Sequence, residues 1–186
     1  MEYRLHTPIT KDDIKKLHIG DIVLISGTIY TARDAAHKRL VELINKNEPL
    51  PLNLKDAIIY YVGPTPAKPN EPIGSAGPTS SYRMDAYMKE IMENGSIISI
   101  GKGPRSESVK KLIKEFGGMY LSTVGGAAAL IGKSVTKREL VAYPDLGAEA
   151  IQKLEVKDFY AIVSYDSYGE DLFEKGISEY LKGLNS

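Results

Sequence analysis

The stretch DIVLISGTIYTARDAAHKRLVELINKN, residues 21–47, reads as one unit of strand, loop and helix. DIVLISG (21–27) is a short, nearly uninterrupted apolar run, the pattern of a buried strand. TARDAAHKRLVELINKN (31–47) then sets Ala35, Leu40, Leu43 and Ile44 at helical spacing. The unit recurs. AIIYYVG (57–63) precedes a helix expected from about Ser81 to Glu93, and SIISIG (96–101) precedes one from about Pro104 to Phe116. MYLSTV (119–124) leads through Gly125 and Gly126 into an alanine-rich turn of helix, and ELVAY (139–143) and FYAIVSYD (159–166) read as further strands. Strands alternating with helices predict a layered α/β fold, one domain over residues 1–186 with no internal repeat.

Composition excludes several classes of function. Lys+Arg and Asp+Glu number 24 each, and no basic stripe stands out, so the electrostatic footprint of a nucleic-acid binder is missing. There is no cysteine, which rules out a disulfide framework, a thiolate metal site or an iron–sulfur cluster built by this chain alone. No apolar run approaches the ~20 residues of a membrane helix. MEYRLHTPIT lacks a charged-then-apolar signal pattern, so the expected location is the cytoplasm.

In α/β sheets ligands gather at the loops beyond the carboxyl ends of the strands, and three such loops carry cations here. The first strand ends in SGTIYTARD, placing Arg33 at the start of a helix. The second ends, after the proline-rich stretch GPTPAKPNEPIGSAGP (63–78), in GPTSSYRMD with Thr79 and Arg83; the third ends in GKGP with Lys102. A helix N-terminus attracts anions, so cations there do nothing for helix stability. Arginine grips a carboxylate through two parallel hydrogen bonds and lysine adds a compact charge, so Arg33, Arg83 and Lys102 suit a small dicarboxylate. Each cation taken singly also fits a solvated surface. Thr79 has a structural reading as an N-cap, but Ser80 and Ser81 are available for that task, which leaves its hydroxyl for chemistry. Asp34 and Asp85 read as groups that orient the arginines or cap helices.

Other motifs fall away. GGAAALIGKS (125–134) resembles a phosphate loop, but Gly126 and Gly132 enclose one residue too many, leaving only the reading that Gly125 and Gly126 allow close backbone approach to a ligand. GKG (101–103) is no dinucleotide fingerprint. His6, His18 and His37 show no ligand spacing, so no metal site is expected; His37, one turn after Arg33, can steady that residue.

Together, SGTIYTARDAAHKRL, YYVGPTPAKPNEPIGSAGPTSSYRMD, GKG, STVGGAAAL and YPDLGAEAIQKLEVKDFYAIVSYDSYGEDLF resemble the β subunit, or C-terminal domain, of class I fumarate hydratase and its relative L(+)-tartrate dehydratase. The resemblance implies a swivelling β/β/α fold and a hydro-lyase that interconverts fumarate and malate only with an α subunit. It implies that the α subunit carries a 4Fe–4S cluster on three cysteines, its open iron acting as Lewis acid on the substrate hydroxyl. Arg33, Arg83 and Lys102 would then bind the substrate carboxylates, and Thr79 would transfer the proton, helped by a carboxylate from the other subunit. The same chemistry on L-tartrate is the nearest alternative. A non-catalytic anion-binding or regulatory module is the alternative from another class.

Overall fold

The computed structural model describes residues 1–123 and 128–184. In chain order the elements are β1 (Glu2–His6), α1 (Lys11–Ile14), β2 (Ile22–Thr31), α2 (Asp34–Asn45), β3 (Ile58–Tyr60), α3 (Met88–Glu93), β4 (Ile98–Gly101), α4 (Glu107–Phe116), β5 (Met119–Ser122), α5 (Ala128–Ser134), β6 (Val135–Ala142), β7 (Ile151–Tyr165) and α6 (Leu172–Leu184). Two 3-10 turns, Ser81–Tyr87 and Pro144–Glu149, precede α3 and β7.

Strands β1 to β5 pair in parallel, each with the next. The long β7 runs antiparallel to β5, β6 and β2. Because β7 bonds to both β2 and β5, the pairings β2–β3–β4–β5–β7–β2 close on themselves, with β1 and β6 attached outside the circuit. Closure removes the exposed edges that a five-strand sheet would otherwise present.

Successive side chains of a strand point to opposite faces, and the two faces supply two cores. Val23, Ile25, Ile29, Ile58, Tyr60, Ile98, Ile100, Leu121, Leu154 and Val163 form one, closed by Ile14 and Leu17 near the N-terminus, by Ile73 and Ala76 of the proline-rich segment and by Ile131 of α5. Ile59, Tyr61, Tyr120, Ile151 and Tyr165 face the other way, against Ala36 and Leu40 of α2, Met88 and Ile91 of α3, and Val109 and Ile113 of α4. Each fully buried aliphatic side chain contributes roughly 1.5–3 kcal/mol.

The mixed α/β architecture agrees with the sequence reading, while several boundaries move. The helix expected from Ser81 starts as a 3-10 turn and becomes α-helical only at Met88. The helix expected from Pro104 begins at Glu107, because Arg105 is drawn into the interior and keeps the preceding residues out of helix. The first strand continues to Thr31, held by β7 along its whole length. The last strand begins at Ile151 rather than Phe159. The reading of Gly125 and Gly126 lies outside the described residues. Among the described residues no helix is long and apolar enough to cross a membrane.

Candidate active site

Arg33, Thr79 and Lys102 all follow the carboxyl ends of neighbouring parallel strands. β2 ends at Thr31, opposite Tyr60 of β3, which lies opposite Ile100 of β4. Thr79 is brought back to the end of β3 by its amide, which donates to the Tyr61 carbonyl at 2.7 Å. Ser80 then pairs alongside Lys102. The proline-rich segment therefore leaves the sheet at Val62 and returns beside it, where Val62 bridges Pro78.

Arg33 occupies the N-cap of α2 and makes no side-chain cap. Its Nη2 lies 3.1 Å from Glu149 Oε1, at the end of the Pro144–Glu149 turn. That turn is tied to α2 by Arg39, whose Nη1 and Nη2 reach Asp145 at 2.9 and 2.5 Å and whose guanidinium lies over the Tyr143 ring. Gly63 makes room for Arg33: a Cβ there would sit 2.9 Å from Nη1 and 3.1 Å from the Ala148 carbonyl. Arg83 donates from Nη2 to Asp34 Oδ2 at 2.7 Å, while Arg33 Nε lies 3.9 Å from the other oxygen of the same carboxylate. Asp34 thus stands between the two arginines, the orienting role read from the sequence. Among the described residues Arg33 Nε and Asp34 Oδ1 are buried without hydrogen-bond partners, so one donor, the Arg33 Nε–H, remains open to an acceptor.

Thr79 is half-buried, and among the described residues its hydroxyl makes no hydrogen bond. It is not a cap. Neither serine takes that task as expected: Ser80 makes no side-chain cap, and the Ser81 hydroxyl turns inward to the Lys102 amide and Tyr120. Lys102 is exposed and, among the described residues, has no ion-pair partner. The helix-start argument holds for Arg33 alone. Arg83 lies within a 3-10 turn, and Lys102 precedes the α4 N-cap, Ser106.

His37 does steady Arg33. Both its backbone N–H and its Nδ1 lie 2.8 Å from the Arg33 carbonyl. A carbonyl only accepts, so Nδ1 carries the proton and the buried Nε2 is left as a lone pair without a partner. Burial pulls the imidazole pKa down to about 4, with the Arg105 charge adding to the effect.

Glu149, Tyr120 and Arg105, which carried no signal in the sequence, and Ser81, which read as a cap, lie around these residues. Tyr120 read as a core strand residue and Arg105 as part of a helix start; only their distant neighbours give them polar partners. Two cavities lie near these residues and are not lined by Arg33, Thr79, Arg83 or Lys102. One of about 390 Å³ is bounded by the 65–75 segment and α5, and one of about 600 Å³ by residues 64–67, β6 and the 144–150 turn. Arg33, Thr79 and Lys102 follow the carboxyl ends of β2, β3 and β4, and Arg83 reaches the first of these through Asp34. A potential metal-binding group, His18 with Asp166 and Glu170, lies before the start of β2, at the other end of the strand. Its central Asp166 already accepts from the amides of Ile19, Tyr168 and Glu170.

Residues 1–176 match the family described as fumarase C-terminus. The chain belongs to that family. It is 38% identical over 178 residues to fumarate hydratase 2 of Leishmania major, covering 94% of this chain and 31% of the relative. It is 43% identical over 157 residues to the anaerobic class I fumarate hydratase of Escherichia coli K12, covering 83% and 29%. It is 40% identical to the putative L(+)-tartrate dehydratase subunit beta of Methanocaldococcus jannaschii, covering 100% of this chain and 97% of the relative. The chain therefore spans under a third of the two fumarate hydratases and nearly all of the tartrate dehydratase subunit.

Proposed function

We propose that this chain is the β subunit of a two-subunit hydro-lyase that reversibly hydrates fumarate to malate, with the α subunit supplied as a separate polypeptide. The observation that carries the reading is that Arg33 and Arg83 share the Asp34 carboxylate beside the ends of β2 and β3, while Lys102, on the adjoining loop after β4, has no ion-pair partner among the described residues. A small diacid supplies the missing negative charge. Arg33 and Arg83 take its carboxylates by paired N–H donation, and Lys102 stabilises the enediolate-like charge that develops when the carbon next to a carboxylate loses its proton. Thr79 holds that proton on Oγ, which makes no hydrogen bond among the described residues; its activation needs a base from outside this chain.

A chain without cysteine offers no thiolate to a 4Fe–4S cluster, and the His18 group has neither the ligand type nor the position. The cluster implied by the family resemblance does not fit this chain and is assigned to the α subunit. Residues 1–176 and α6 act as one domain of the swivelling β/β/α type in this reading, in the cytoplasm, with the open edge facing the partner.

The test is reconstitution. The chain alone is expected to show neither hydration of fumarate nor iron absorbance, and co-expression with a cysteine-bearing α chain is expected to give both. Activity or iron in the isolated chain, or an assembled complex inert toward fumarate and tartrate, overturns the proposal. L-tartrate is the second substrate to assay, because the relative matched over its whole length is a tartrate dehydratase subunit. Turnover of tartrate with none of fumarate replaces one substrate with the other and leaves the lyase assignment standing.

A further inference from the structure

The polar core beneath the site is one connected structure. Ser81 brackets Lys102: its N–H donates to the Lys102 carbonyl, and its Oγ accepts from the Lys102 amide, both at 3.0 Å. Ser81 Oγ is 2.8 Å from Tyr120 Oη, which donates to the Gly103 carbonyl at 2.9 Å. The protons can be assigned in one direction only. Gly103 O accepts, so Tyr120 donates to it; Ser81 then donates to Tyr120 and accepts from Lys102. The Ser81 and Tyr120 hydroxyls thus each both donate and accept. Burial pushes the Tyr120 phenol up to about 12, so its proton stays in place.

A second fastening lies at the other end of the same turn. Arg105, with a side chain 0% exposed, donates from Nε to Asp85 Oδ1 at 2.6 Å, and Asp85 Oδ2 accepts from the Ser106 amide at 2.7 Å. The guanidinium lies over the rings of Tyr61 and Tyr120, at 5.3 and 5.1 Å. Arg83 therefore sits between two anchored neighbours, Ser81 and Asp85, and Lys102 lies on the loop that both anchors grip. Gly101 permits the approach, since a Cβ there would overlap Ser81 Oγ.

We propose that Tyr120 and Ser81 are positioning residues, whose hydroxyls lock the Lys102 loop to the Ser81–Tyr87 turn and so set the spacing between Lys102 and the Thr79–Arg83 segment. The inference rests on the reading of that edge as the substrate site. Neither hydroxyl touches substrate. Their effect passes through the Lys102 backbone, so it appears in substrate affinity before turnover.

Tyr120→Phe keeps the ring under Arg105 and removes only the oxygen; Ser81→Ala removes the other half of the chain. Ser96→Ala is the matched control, because Ser96 Oγ makes a similar buried bond of 2.9 Å to the Ala57 carbonyl at the opposite end of the sheet. In the reconstituted complex Tyr120→Phe and Ser81→Ala are each expected to raise KM three- to tenfold with kcat within twofold. The double variant is expected to be no worse than the more affected single, because the two remove one chain of bonds. Ser96→Ala is expected to leave KM unchanged. In the isolated chain, hydrogen exchange at the Lys102 amide is expected to accelerate at least tenfold in both site variants and not in the control. Unchanged KM and unchanged exchange, or the same KM shift in Ser96→Ala, overturns the positioning role. A wild-type complex without turnover removes the proposed function instead, and amide exchange still decides whether the two hydroxyls hold the loop.

Discussion

Two clusters of charge in this chain are built to opposite balances. Where α4 meets α6, the Lys110 ammonium lies 2.6 Å from each of Glu107, Asp171 and Glu174. One cation serves three carboxylates there. Burial disfavours its charge, but Asp171, Glu107 and Glu174 outweigh that and hold its pKa above the ordinary value. Asp171 also accepts from the amides of Phe173 and Glu174 at 2.8 and 3.2 Å, capping α6. At the carboxyl edge of the sheet the balance is reversed: among the described residues Arg33 and Arg83 have Asp34 and Glu149 within ion-pair distance, Lys102 has no carboxylate, and Arg33 Nε and Asp34 Oδ1 make no hydrogen bond. The first cluster is complete and fastens one helix to another. The second has more cations than carboxylates within ion-pair distance, the imbalance on which the proposed binding of a diacid rests.

The contrast breaks most sharply at Thr79. Thr79→Val conserves shape and removes only a hydroxyl that makes no hydrogen bond among the described residues, so turnover of the complex is expected to fall by about two orders of magnitude or more, with assembly and Tm unchanged. Loss of Tm with normal turnover would make it a structural residue. Arg83→Lys keeps the charge and loses the paired N–H geometry; kcat/KM is expected to fall by about 2 kcal/mol equivalent, roughly 30-fold. Near-normal kcat/KM would remove Arg83 from the site. Lys110→Met tests the other cluster, where three carboxylates lose the cation that offsets their repulsion. Denaturant unfolding is expected to show a loss of about 1–2 kcal/mol, because Glu107 and Glu174 are largely exposed and solvent softens the effect. Substrate kinetics should not change; if they do, the two clusters are not independent.

A further effect concerns pH and belongs to His37. Its folded pKa is depressed to about 4 from an ordinary value of 6.5, so between those values the unfolded chain binds a proton that the native chain refuses. The stability contributed by the neutral ring is present above pH 6.5 and is lost as pH falls toward 4, at no more than about 1.4 kcal/mol per pH unit. Unfolding measured across that window should show this slope in the wild type. His37→Asn should flatten it: its amide can bond the carbonyl one turn back, as Asn94 Nδ2 does with the Glu90 carbonyl at 2.8 Å. An unchanged slope would assign the pH dependence to other groups.

What could be read in the chain divides along local and non-local lines. In the sequence Lys102 follows the strand 96–101 directly, Arg33 stands at the helix start after the strand 21–27 and Asp34 is adjacent to it, so their order along the loops follows from the strand pattern, while the extension of β2 to Thr31 does not. Tyr120 and Arg105 gave no such signal. A tyrosine in an apolar strand looks the same in sequence whether its hydroxyl meets a carbonyl or water, and Arg105 sits among helix-forming residues. The helix boundaries at Ser81 and Pro104 moved for the same reason: Ser81 and Arg105 turn inward to partners 39 and 20 residues away.

The sequence by itself determined the alternation of strands and helices, the absence of any thiolate ligand and the order in which the cations leave the strands, because these depend on residue type and on periods of two and 3.6 along the chain. Only the tertiary structure decided that β7 closes the circuit, that Asp34 stands between two arginines and that Ser81 and Tyr120 hold the Lys102 loop. Hydrogen bonds and ion pairs form between groups that the fold brings within a few ångströms, and separation along the chain carries no record of that distance.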